Sequence, residues 1–173
     1  MRYLEVRRHS MRLKPGIHLS RAGMERAYRI GQSAGPFAYV VTSTVSRAFE
    51  TALVMGFAVD AQDKRLSTMN DNVDAELPWP FSFAEAARVV QQGGAAARFA
   101  RKQADLWRTV VASVPDGASA LVITHGGIVE LGAVGCLPQA DHASWGQYCD
   151  CCEGVRLSFD GQAFVAAEIL RVD

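Results

Sequence analysis

The chain has 173 residues, enough for one domain with a sizeable core. Hydrophobic residues make up 49% and charged residues 21%, and 18 Lys+Arg balance 18 Asp+Glu; that balance argues against a general nucleic-acid binder but leaves room for a local cationic pocket. No apolar run reaches the length of a membrane span, and the charged opening M-R-Y-L-E-V-R-R-H lacks the apolar core of a secretory signal, so a cytoplasmic protein with neither nucleic acid nor membrane as partner is expected.

In chain order, Tyr3 to Ser10, Y-L-E-V-R-R-H-S, reads as a strand running into Arg8-His9. Lys14-Pro15-Gly16 marks the loop after it. Ser20 is the N-cap of a helix whose positions Ala27, Ile30 and Ala34 recur at helical spacing, and Gly35-Pro36 ends it. Tyr39 to Thr42 is a short apolar strand of the buried, parallel kind. Thr42 to Gly56 carries strand end, polar turn, helix and terminal glycine in succession, with Arg47 in the first helical turn. Phe57 to Val59 and Arg65 to Met69 are weaker strand candidates, and Asn70 to Pro80 reads as an acidic loop. The capping box S-F-A-E at Ser82 to Glu85 opens a helix to about Gln92. A longer helix spans about Ala95 to Val114, with Ala100, Ala104, Trp107, Val111 and Val114 on one face. Ala118 to Thr124, A-S-A-L-V-I-T, is the clearest buried strand; it runs into His125-Gly126-Gly127 and a helix from near Ile128. Val155 to Phe159 and Gln162 to Leu170 flank Asp160-Gly161, a favoured two-residue hairpin turn.

This alternation argues for one α/β domain over residues 1–173. The expected architecture is a three-layer α/β/α sandwich on a mostly parallel sheet, with a C-terminal antiparallel hairpin. The first strand fits less simply, because Tyr3, Glu5 and Arg7 share one face where a central parallel strand is apolar. Either that face is incompletely covered or Glu5 and Arg7 pair. In a parallel sheet the carboxyl ends of the strands open onto one crevice. Arg8-His9, Ser43 with Arg47, and His125-Gly126-Gly127 each follow a strand end, so two arginines and two histidines converge. A phosphate suits such a grouping. Guanidinium forks match its oxygens, helix N-termini add amide donors, and glycines let the backbone approach closely.

These segments resemble the motifs of the histidine phosphatase superfamily, in its phosphoglycerate-mutase-like branch. The family's R-H-G is matched by Arg8-His9-Ser10, with serine where glycine is usual. Its leucine, serine or threonine, and glycine at the first helix are matched by Leu19, Ser20 and Gly23. T-S-T-V-S-R-A-F-E-T-A, from Thr42 to Ala52, follows its S-S-P-x-x-R-A-x-x-T-A, and L-V-I-T-H-G-G-I-V follows its apolar strand and H-G-G. The resemblance covers Met1 to about Leu131 and the final hairpin more loosely.

The resemblance implies a phosphoglycerate-mutase-like fold and a phosphomonoester hydrolase of the histidine acid phosphatase type, with no metal and no cofactor. Its substrate would be a small phosphorylated molecule or a phosphoprotein. His9 is then the nucleophile and becomes a phosphohistidine, while Arg8, Arg47 and His125 clamp the phosphoryl oxygens. The family places a general acid in the loop after the third strand; Asp71 and Glu76 rank equally for it, with Asp74 in reach. Ser10, Arg12, Ser43 and Gly126 are candidates for substrate binding. Ser10 either turns away or donates its hydroxyl to phosphate. Arg12 or Lys14 supplies charge where phosphoglycerate mutases carry an asparagine.

Two alternatives stand beside the hydrolase. A phosphomutase needs extra segments closing over the site, and the stretch after Asp71 offers two modest helices. A non-catalytic phosphate-binding scaffold is suggested by Ser10 and the indistinct acid, against which both histidines and both arginines are retained. Cys149, Cys151 and Cys152, with His142 nearby, are spaced C-x-C-C rather than as metal-binding C-x-x-C pairs, and read as free thiols. Trp79 reads as a pocket wall or rim aromatic, Trp107 as core, and His18 as a surface residue.

Overall fold

The computed structural model describes residues 1–69 and 71–173, with the side chain of Asp71 also outside the described residues. The elements run β1 (Arg2–Arg8), α1 (Arg21–Gly31), β2 (Tyr39–Thr42), α2 (Ser46–Val54), β3 (Ala61–Gln62), α3 (Asp71–Glu76), α4 (Phe83–Val90) and α5 (Ala95–Ala112). They continue with β4 (Ser119–Thr124), α6 (Ile128–Cys136), β5 (Gly154–Phe159) and β6 (Phe164–Leu170). No helix among the described residues is long and apolar enough to cross a membrane.

Side-chain alternation along the strands creates the three layers. In β4, Ala120 and Val122 enter one buried apolar cluster while Leu121 and Ile123 enter another. The first cluster is completed by α3, α4, α5 and α6, with Trp107 fully buried; the second is completed by Ala27 of α1 and Ala48 and Ala52 of α2. The sheet order is β3-β2-β4-β1-β5-β6. β1, β2, β3 and β4 run parallel, whereas β5 pairs antiparallel with β1 and β6 with β5. The ends of β1, β2 and β4 therefore lie side by side at one edge.

The odd face of β1 is covered, and its charges are paired. Glu5 and Arg7 are both buried; Arg7 Nε donates to Glu5 Oε2 at 3.1 Å and Nη1 donates to the Cys152 carbonyl at 2.9 Å. Arg156 adds a second cation 3.6 Å from Glu5 Oε1. Loss of one partner from a buried pair leaves an uncompensated charge, which costs about 3–5 kcal/mol. The pair thus locks the strand that delivers Arg8 and His9.

Three elements differ from the sequence reading. The third strand is Ala61–Gln62, lying between the two segments expected, and Lys64–Leu66 forms one 3-10 turn. Asp63 caps that turn by accepting from the Arg65 amide, which favours a bend over an extended strand. Within the expected acidic loop, Asp71–Glu76 is a short helix, because Val73 and Leu77 are one turn apart and both buried. The hairpin turn spans residues 160–163, since Phe159 pairs with Phe164. Asp160 Oδ1 accepts from the Gln162 and Ala163 amides, each at 2.8 Å, and so holds the longer turn.

Candidate active site

His9 follows the end of β1, and its amide donates to the Thr124 carbonyl of β4 at 2.9 Å. Its ring is buried, with Nδ1 2.6 Å from the Ser10 carbonyl. A carbonyl only accepts, so Nδ1 carries the proton and Nε2 carries the lone pair. That lone pair accepts from Arg47 Nε at 3.0 Å. Arg47 Nη2 approaches His125 Nδ1 at 3.4 Å, which makes Nδ1 of His125 an acceptor and leaves Nε2–H to donate to Ser43 Oγ at 2.7 Å. The two rings are 5.1 Å apart. One arginine, from the first turn of α2, therefore touches the unprotonated nitrogens of both histidines.

Arg8 completes the cationic group. Nη1 donates to the Cys149 carbonyl at 3.1 Å and lies 3.7 Å from Asp150 Oδ1, while the guanidinium carbon sits 5.4 Å from the Trp79 ring centroid. Its Nε is buried and unpaired among the described residues. These groups open onto a cleft of about 670 Å³, lined also by Met11, Arg12, Lys14, Trp79, Asp150 and Cys151. Gly126 forms part of the cleft; a Cβ there would lie 2.7 Å from the Trp79 ring, so Gly126 allows the indole to close over the site. Gly127 has φ +85°, and its amide donates to Glu130 Oε2 at 2.6 Å.

Of the residues singled out from the sequence, Arg8, His9, Arg12, Arg47, His125 and Gly126 line this one cleft. Ser10 and Ser43 are not among its lining residues. The buried Ser10 hydroxyl donates to the Gly23 carbonyl at 2.6 Å, and the Ser10 amide donates to Thr51 Oγ1 at 2.9 Å. Ser43 lies behind His125 and fixes its tautomer. Glu76 is also placed elsewhere: its carboxylate accepts from the Ala95 and Ala96 amides at 2.7 and 2.9 Å, capping α5. Those two bonds hold its pKa below the ordinary glutamate value, opposite to what a proton donor needs. Asp74 is exposed on α3, and the side chain of Asp71 lies outside the described residues.

The cysteine cluster has a structural setting. Cys149 and Cys152 are buried free thiols, and Cys151 is half-buried at the cleft. No group of three His, Cys, Asp or Glu side chains suited to a metal occurs among the described residues. Sequence reasoning missed Asp150 as a cleft wall and Glu130 as the support behind it. Glu130 is fully buried and joins the loop of Gly127 to the turn of Cys149, whose amide it accepts at 2.7 Å. The one local signal was its position three residues after Gly127, the spacing at which a glutamate reaches back to a helix start.

No protein-family model and no curated protein matches the chain. Solved structures do. A phosphoserine phosphatase from Entamoeba histolytica, in complex with 3-phosphoglyceric acid, superposes with a TM-score of 0.74 at 15% identity, over 99% of this chain and 98% of the other. A mycobacterial glucosyl-3-phosphoglycerate phosphatase with bound VO3 superposes at 0.68 and 21% identity, over 100% of both chains. The chain shares the phosphoglycerate-mutase-like fold of these structures. In this fold the three-layer sheet brings the three strand ends to one edge, as the element order required.

Electrostatics in the cleft keep both imidazoles neutral. Burial is the main cause for each, and the neighbouring Arg47 and Arg8 reinforce it. His9 is lowered to about 4 despite the opposing Ser10 hydrogen bond, and His125 to about 3, with charge on His9 contributing. An unfolded histidine takes up its proton near 6.5. Between about pH 6.5 and 4 the unfolded chain binds protons that the folded one refuses, so stability falls as pH falls through that window. The expected loss between pH 7 and 4 is on the order of 3 kcal/mol for each ring, measurable by urea unfolding at a series of pH values. A histidine NMR titration checks the same point: neither ring should change protonation between pH 8 and 5.

Proposed function

We propose that the protein is a phosphomonoester hydrolase that works through a phosphohistidine on His9. The observation carrying this reading is the state of His9 itself. Its Nδ1–H is held by the Ser10 carbonyl, and its bare Nε2 meets Arg47 Nε at 3.0 Å on the wall of a cationic cleft. A phosphoryl group entering there replaces the Arg47–His9 contact and receives donors from Arg47 and Arg8, whose buried Nε has no other described partner. The fold shared with phosphatases supports the same assignment.

In the first step the Nε2 lone pair attacks phosphorus in line. The P–N bond forms as the ester P–O bond breaks, and the leaving oxygen takes a proton. In the second step water attacks the same phosphorus, the P–N bond breaks, and inorganic phosphate leaves with His9 neutral again. Arg8, Arg47 and His125 stabilise charge on the equatorial oxygens in both steps; this electrostatic contribution is usually the largest in phosphoryl transfer. Ser43 acts as a positioning residue through His125. With Glu76 engaged at α5, Asp71 and Asp74 are the remaining sequence-derived candidates for protonating the leaving group.

The test is hydrolysis of an aryl phosphate by the purified protein, with and without EDTA, followed by an alkaline detergent quench and parallel acid and base treatment. Turnover unaffected by EDTA, with a phosphoryl label stable to base and labile to acid, is the expected result. Absence of both turnover and label for aryl, sugar and amino-acid phosphates would overturn the hydrolase reading. Stoichiometric phosphate binding in that case would instead support the phosphate-binding scaffold.

A further inference from the structure

The cleft holds more positive charge than one phosphoryl group uses. Among the described residues, Arg8, Arg12, Lys14 and Arg47 line it with one carboxylate, Asp150, while His9 and His125 are neutral. A phosphomonoester dianion leaves one cation uncompensated. Two of these cations, Arg12 and Lys14, lie on the loop after His9. Arg12 is tethered there by its Nη1, which donates to the carbonyls of Pro15 and Gly16 at 3.2 and 3.0 Å; no other atom of its guanidinium is hydrogen-bonded among the described residues. An isolated bridge between Arg12 and Leu19 fixes the backbone beneath it. Lys14 has no described ion-pair partner. The cleft volume of about 670 Å³ falls in the range that encloses a whole small molecule rather than a phosphoryl group alone.

We infer that the leaving group of the substrate carries a second anion, a carboxylate or a further phosphate, received by Arg12 and Lys14. This deepens the hydrolase reading and rests on it for the placement of the scissile phosphoryl group. Arg12 is held by two backbone carbonyls, so little side-chain entropy is lost on binding. Its fork suits either anion, and Lys14 adds a mobile point charge. The same cleft is lined by Trp79, which offers an apolar surface to the body of a small organic leaving group.

The test uses binding, so that it stands apart from turnover. Calorimetry at low ionic strength compares benzylphosphonate with 4-carboxybenzylphosphonate and with para-xylylene bisphosphonate. The wild type is expected to bind one or both doubly anionic probes at least about tenfold more tightly than benzylphosphonate, and the ratio should shrink as salt is raised. Whichever probe gains more identifies the second anion as carboxylate or phosphate. In Arg12→Gln, Lys14→Gln and the double variant the ratio should fall toward one; it is read within each variant, so a change in phosphonate binding itself does not matter. Equal affinities in the wild type, or a preference that survives in the double variant, would overturn the inference. Hydrolysis of the corresponding benzyl phosphate esters is measured alongside. Preference without turnover would retain the anion site and remove the hydrolase reading, whereas turnover without preference would do the reverse.

Discussion

Replacing His9 by alanine is expected to reduce hydrolysis of an aryl phosphate by at least about 10⁴-fold and to abolish the phosphoenzyme, while inorganic phosphate still binds. Loss of a nucleophile removes a covalent route rather than one stabilising contact, and comparable losses reach about 10⁶-fold in other nucleophilic enzymes. The argument rests on geometry. The Ser10 carbonyl fixes the proton on Nδ1, burial keeps the ring neutral, and Nε2 faces Arg47. Binding should persist because Arg8, Arg47 and His125 remain. The variant should also lose part of the acid-linked instability, since one of the two rings that refuse a proton is gone. That readout is independent of activity and confirms that the variant is folded. A phosphoenzyme that survives the substitution would move the nucleophile to another side chain and end this mechanism.

The fold was legible where the chain's own periodicity decided it. The apolar run of β4, the capping box at Ser82 and the order of strands and helices dictate a parallel sheet covered on both faces, and that sheet brings Arg8, His9, Arg47 and His125 to one edge. Less legible were features decided by partners far along the chain. Glu76 reads as a loop acid until α5, 19 residues on, presents its amides. Ser10 reads as a substitute for glycine until α1 offers the Gly23 carbonyl as an acceptor. Asp150 and Cys151 reach the cleft because β5 pairs with β1, which sets the preceding turn against Arg8. Glu5 and Arg7 looked misplaced on a central strand; their pairing, with Arg156 and the Cys152 carbonyl, depends on the same antiparallel neighbour. Local pattern thus marked the segments that meet at the cleft, and tertiary contacts decided which side chains face it and which serve the scaffold.

Arg47 is the second residue whose loss should be severe, and lysine should not replace it. Arg47→Ala is expected to lower kcat/KM by about 10³-fold or more, and Arg47→Lys by about 10²-fold or more, with kcat falling in both. Two atoms of the side chain, and the plane that joins them, explain the difference. Nε meets the bare Nε2 of His9, Nη2 meets Nδ1 of His125, and the rigid plane between them spaces the two contacts. An ammonium has one centre and no fixed fork, so it can serve one histidine side or one phosphoryl oxygen at a time. Thr51 supports the arrangement from behind: its hydroxyl donates to the Arg47 carbonyl at 2.6 Å while accepting from the Ser10 amide, tying α2 to the His9 loop. Charge contributes separately from shape. Restoring a positive charge with lysine should recover much of the lost phosphate affinity, whereas the rate of phosphoenzyme formation should stay low. A lysine variant with near wild-type kcat would show that charge alone suffices and that the fork between the histidines has no part in the transition state. Single-turnover measurement of the phosphohistidine separates these outcomes, because it reports the first displacement without product release.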